Sequence, residues 1–64
     1  MKLNAKKLRL TAYDKGMTQS DIAVACELSR GTINGIFNGR TCSQDTAEKI
    51  AEVLEVPLKK IEVK

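Results

Sequence analysis

The side chains able to do chemistry in this 64-residue chain are restricted from the outset, because it has no histidine and only two cysteines. The missing histidine removes the commonest metal ligand and the commonest general base near neutral pH. A structural zinc site would need four thiolates or a set of carboxylates, and Cys26 and Cys42, sixteen positions apart, do not supply it. A nucleophile paired with a base, a metal-ligand cluster and a glycine-rich phosphate loop are all missing from the pattern. The sequence therefore argues against an enzyme, and it implies no cofactor and no small-molecule ligand. Both cysteines have ordinary readings: Cys26 falls on an apolar face, where a thiol acts as a small apolar side chain, and Cys42 falls in a loop.

What remains is charge and hydrogen bonding. Eleven basic residues face eight acidic ones, a net +3. The excess is uneven. Residues 1–40 hold seven bases and three acids, whereas residues 41–64 hold four bases and five acids. One end of the chain is electropositive, as suits phosphate or another anionic surface, although a solvated basic face would carry the same pattern.

The elements that must position these residues are short. A chain of this length makes one domain, over 1–64, and buries roughly 60% of its unfolded surface. Its only aromatic residues are Tyr13 and Phe37, so the core must come from Leu, Ile, Val, Ala and Met. No apolar run approaches the ~20 residues of a membrane span, and MKLNAKKLRL lacks the apolar stretch of a signal peptide. A cytoplasmic protein without a membrane partner is expected. Ala47, Ile50, Ala51 and Leu54 fall on one helical face after Ser43, a good N-cap, and Pro57 limits the run. Leu58 to Ile61 would add a short turn, and the alternation of 61–64 allows a strand instead. Thr18 to Asp21 is a capping-box signal that opens a helix with Ile22, Ala23 and Cys26 inside. Ser29 would cap the next helix, about 30–38, with Ile33 and Ile36 inside and Gly39 at its left-handed exit. Ala5, Leu8 and Ala12 share a face of a first helix that ends before Gly16. The fold class is all-α, with four or five short helices.

Two short helices with an abrupt break, at about 19–38 in the basic part of a small domain, have the form of a helix-turn-helix. There the second helix enters the DNA major groove and the first crosses the backbone. Ala23 would be the small residue at the crossing, flanked by Ile22, Cys26, Leu28, Ile33 and Ile36. On periodicity alone, an αα-hairpin of any helical bundle fits equally well.

Gly16–Met–Thr–Gln–Ser–Asp–Ile–Ala23, then Leu28–Ser–Arg–Gly–Thr–Ile33, then Ile36–Phe–Asn–Gly39 resembles the Cro/phage-repressor helix-turn-helix family. Ser43–Gln–Asp–Thr–Ala–Glu–Lys–Ile–Ala51 and Leu54–Glu–Val56 are similar to its next helix and exit, so the resemblance spans about residues 8 to 61. It implies a compact four- to five-helix, lambda repressor-like DNA-binding domain. It also implies a sequence-specific transcriptional regulator of prokaryotic or phage type, a repressor or a Cro-like switch. The partner would be double-stranded DNA, with a palindromic operator bound by a homodimer. By position, Gln19, Asn38, Arg40 and Thr41 match contacts to the DNA backbone. Ser29, Arg30, Gly31, Asn34 and Gly35 match the base-reading face, with Arg30 suited to guanine and Asn34 to adenine. Val56, Leu58, Ile61 and Val63 are the candidates for a dimer interface, and they would serve equally to close the core.

The chain departs from the family pattern in three places. Glu27 stands where the tight turn usually holds glycine, so it must take a positive φ or the turn must differ. Ala12 and Phe37 stand where many members pair an arginine with a glutamate, and a packing contact is expected instead. Repressors of the family often carry a second domain for dimerisation or ligand sensing, and none is expected here. Gly31 and Gly35 each cost the helix roughly 0.5–1 kcal/mol and offer no side chain to a base. They favour the alternative, a protein-interaction module such as an antitoxin subunit or an adaptor.

Overall fold

Each helix starts where a short polar side chain closes its first turn. The computed structural model describes residues 1–63, with α1 at Ala5–Lys15, α2 at Gln19–Cys26, α3 at Arg30–Phe37 and α4 at Gln44–Leu54. A 3-10 turn follows at Leu58–Lys60, within the 58–61 stretch read as a possible extra turn. The side chains of Asn4, Thr18, Ser29 and Ser43 accept hydrogen bonds from the backbone N–H of Lys7, Asp21, Thr32 and Thr46. Each satisfies a donor that the helix itself leaves unpaired. At α2 the box is reciprocal, since the Thr18 N–H donates back to Asp21 Oδ2 at 3.0 Å.

All four α-helices end in the same way. In α1, the Gly16 N–H donates to Tyr13 O and the Met17 N–H to Ala12 O, both at 3.0 Å. The equivalent pairs are Glu27 to Val24 and Leu28 to Ala23 in α2, Gly39 to Ile36 and Arg40 to Gly35 in α3, and Glu55 to Glu52 and Val56 to Ala51 in α4. This is the Schellman pattern, which requires a left-handed residue at its centre. Gly16 (φ 69°) and Gly39 (φ 96°) meet that requirement freely, whereas Glu27 (φ 58°) and Glu55 (φ 59°) meet it with a side chain in the way. Of the two alternatives open to Glu27, the chain takes the positive φ.

The core lies where α2 packs on α3 and α4, and α1 closes it against α3. Ile22, Ala23, Cys26, Ile33 and Ile36 are buried as their spacing predicts, and Leu28 is half-buried against them. Ala12 and Phe37 are both buried in this core. Thr11 is buried too, and its hydroxyl is satisfied by donating to Lys7 O at 2.8 Å.

Residues 1–4 are extended, which the sequence did not suggest. Lys2 pairs with Thr41 on one side and Leu3 with Glu62 on the other, each as a single antiparallel bridge. The Asn4 N–H donates to Ile61 O at 2.7 Å, and the Val63 N–H to Lys2 O at 3.1 Å. This pairing seals Leu3 and Ile61 inside the protein at 1% and 0% exposure. Ile61 must therefore be removed from the candidate dimer surface: it closes the core of its own chain and has no area left to offer a partner. Val56 and Leu58 are half-buried against the core, and Val63 is 47% exposed.

Candidate nucleic-acid interface

α3 buries one face and presents the other. Ile33, Ile36 and Phe37 point into the core, while Arg30, Gly31, Thr32 and, at the middle of the helix, Asn34 are exposed. No acidic residue lies within α3. The Ser29 hydroxyl caps the helix and also shares a 2.8 Å hydrogen bond with the Thr32 hydroxyl, so its first task is to fix where α3 starts. The two glycines differ in their surroundings. A Cβ at Gly31 would meet nothing nearer than the Ser29 Oγ at 4.0 Å, whereas one at Gly35 would lie 2.9 Å from the Arg40 Cδ. The space beside Gly35 is filled by the Arg40 stem.

Three cationic side chains from three segments gather at the C-terminal end of α3. Arg40 lies over Gly35, and the Lys2 stem passes 3.8 Å from where a Cβ on Gly39 would sit. From α1, the Arg9 Nε donates to Phe37 O at 3.2 Å and its Nη2 to Asn38 Oδ1 at 2.7 Å. A cation suits this position, because unpaired carbonyls make a helix C-terminus electronegative. The second bond also orients Asn38. A guanidinium only donates, so it must meet the amide oxygen, which turns the amide NH2 away and leaves it free to donate elsewhere. Arg40 and Thr41 are exposed in the following loop, with Thr41 fixed by its bridge to Lys2.

The sequence reading singled out Asn38, Arg40 and Thr41 but not Lys2 or Arg9. Local pattern could mark both only as bases in MKLNAKKLRL. What brings Lys2 to the site is pairing across 39 positions, and what brings Arg9 there is the packing of α1 on α3. Arg9 makes a polar tie between those helices, and Ala12 and Phe37 are buried on the same two helices.

At the start of α2, Thr18 serves the Asp21 N–H and the Ile22 N–H bonds to Thr18 O at 3.1 Å. The Gln19 and Ser20 amides lie ahead of the first in-helix acceptor, and such N–H groups suit an anion. The thiols add nothing reactive. Burial pushes both Cys26 and Cys42 above the ordinary thiol range, against the opposing charges of Lys49 and the N-terminal amine. Low-pKa thiols are the reactive ones. Among the described residues no group of three or more Cys, Asp or Glu is placed to hold a metal ion, and no helix is long and apolar enough to cross a membrane.

A short helix exposed along one side, set against a second helix by a tight left-handed turn and surrounded by cations at its end, defines a helix-turn-helix domain. The helix-turn-helix family model matches residues 6–61, and the chain belongs to that family, of the Cro and phage-repressor type. It is a family of DNA-binding regulators, not of enzymes. No curated protein matches the chain.

Proposed function

We propose that residues 1–64 form a single sequence-specific DNA-binding domain, with its helix-turn-helix at about 19–38, that acts in the cytoplasm of a prokaryote or in phage control as a repressor or Cro-like switch. The observation that carries this reading is the gathering of Lys2, Arg9 and Arg40 around the end of α3, whose own face exposes Arg30 and Asn34. α3 lies in the major groove, where Arg30 pairs with guanine and Asn34 with adenine, and Gly31 allows close approach, whereas the surface of Gly35 is covered by Arg40. Ser29 sets the start of this reading helix. The Gln19 amides, the freed NH2 of Asn38, Arg40 and Thr41 hold phosphates, joined by Lys2.

The protein measures 26 × 22 × 18 Å, less than the ~34 Å between successive major grooves on one side of a duplex. One copy therefore reads one groove, and two copies read a palindromic operator. Val56, Leu58 and Val63 are the residues of the original set that remain for pairing. The competing reading as an antitoxin subunit or adaptor drew on two bare positions in the reading helix. With Arg40 lying over Gly35, only Gly31 still speaks for it.

The test is selection of binding sites from random duplex DNA, followed by titration of the preferred site across a salt series. Affinity should fall steeply as salt rises, and Arg30→Ala should weaken the preferred site more than random DNA. If Arg30→Ala and Arg40→Ala both leave DNA binding unchanged, the groove assignment is wrong.

A further inference from the structure

Gly31 and Gly35 lie one helical turn apart on α3, yet only one of them has a neighbour that explains it. A Cβ at Gly35 would come within 2.9 Å of the Arg40 Cδ and 3.8 Å of its Cβ and Cγ. The aliphatic stem of Arg40 thus occupies the volume that a side chain at 35 would take. The same two residues are joined through the backbone, since the Arg40 N–H donates to Gly35 O at 2.9 Å. Arg40 is held at its amide by the helix exit and along its stem by the bare surface of the helix. Its residue remains exposed, and among the described residues the guanidinium makes no hydrogen bond or ion pair. Stems of this kind commonly lie on apolar surface while the charged head stays in water.

We propose that Gly35 is a positioning residue for DNA contact: by lacking a side chain it seats Arg40 across the exposed face of α3. A loop arginine thereby supplies the cation that this part of the helix lacks. Seating the stem before DNA arrives removes part of the rotamer freedom that a free arginine would lose on binding. It also accounts for a glycine inside a helix, where alanine would otherwise be the better residue. Gly35 contributes through Arg40 and not by reading a base. The inference rests on the DNA-binding function proposed above.

The test is a four-protein cycle of wild type, Gly35→Ala, Arg40→Ala and the double variant, with affinity for a selected duplex measured across salt. Arg40→Ala should weaken binding by about tenfold and lower the slope of log K against log salt by about 0.9, as expected for one lost phosphate contact. Gly35→Ala should approach both effects, because its methyl evicts the stem, and the double variant should bind within about twofold of Arg40→Ala. Arg40→Lys should keep the wild-type slope. Multiplying losses in the double variant, or wild-type affinity in Gly35→Ala, would overturn the proposal.

Denaturant unfolding of the same four proteins without DNA separates the two failures. Alanine at 35 should stabilise the Arg40→Ala background more than the wild-type background, where it meets the stem. If wild type binds no duplex, the proposed DNA contact is refuted, and the unfolding cycle still decides whether Gly35 seats Arg40. If the unfolding cycle shows no coupling, the seating itself is refuted.

Discussion

α1 and α3 end on glycine, α2 and α4 end on glutamate, and all four ends carry the same pair of hydrogen bonds. The left-handed residue is thus required by the fold, since only a sharp reversal lets successive short helices share one small core. Glycine is merely the residue that makes the reversal with least strain, and a side chain there costs about 1–2 kcal/mol. The glutamates are not equivalent to each other. Among the described residues the Glu27 side chain makes no hydrogen bond or ion pair, whereas Glu55 forms an ion pair with Lys15 at the end of α1. That contact joins the ends of two helices whose starts are far apart in sequence.

The comparison can be broken most directly at a glycine end. Gly39→Ala should cost about 1–2 kcal/mol, seen as a lower denaturant midpoint with an unchanged m-value. An unaltered midpoint would mean that the exit of α3 relaxes to another turn. Next in size, Glu27→Gly should gain roughly 0.5–1 kcal/mol, because relief of the left-handed strain exceeds the entropy that glycine adds to the unfolded chain. A loss of stability there would mean that the Glu27 side chain makes an interaction worth more than its strain.

The smallest effect is expected at Glu55. The hydrogen bond from Lys15, and then its charge, hold the Glu55 carboxyl below the usual carboxylate range. A carboxyl lowered by folding adds stability above its unfolded pKa and loses that stability as pH falls through the lowered folded value. Glu55→Gly should therefore gain less than Glu27→Gly at neutral pH. The gap should close in acid, below the carboxylate range, and in high salt, which screens exposed pairs. Paired thermal melts at neutral and acid pH check this, and a pH-independent gap would remove the ion pair from the explanation.

The features most legible in the sequence were those fixed within four or five residues. Thr18, Ser29 and Ser43 announce three helix starts because a cap acts on an amide three positions on. Asn4 is the same device, obscured because Leu10 and Tyr13 of α1 fall off the face that Leu8 and Ala12 bury. Glu27 was readable as a conflict between residue type and turn. Leu3 was not readable, because its burial comes from bridges to residues some sixty positions away, and Ile61 was readable only as one of two alternatives, core or dimer surface. At the candidate site, the exposed positions of α3 followed from its period. The roof over Gly35 and the Arg9 bonds to Phe37 and Asn38 arise from packing between segments, which no local window contains.

The extended segment at residues 1–4 has a consequence in time as well as in space. It lines the exit of α3 on one side and is itself held by residues 61–63 on the other. During synthesis residues 61–63 leave the ribosome after all four helices. The loop carrying Arg40 and Thr41 therefore gains its final support only once residues 61–63 are free to pair, after all four helices have been made. Closing so long a loop is the slow kind of contact to form. The surface that would meet DNA is thus finished after the helices, and a chain cut before residue 61 would keep its helices in sequence but leave that loop unbraced.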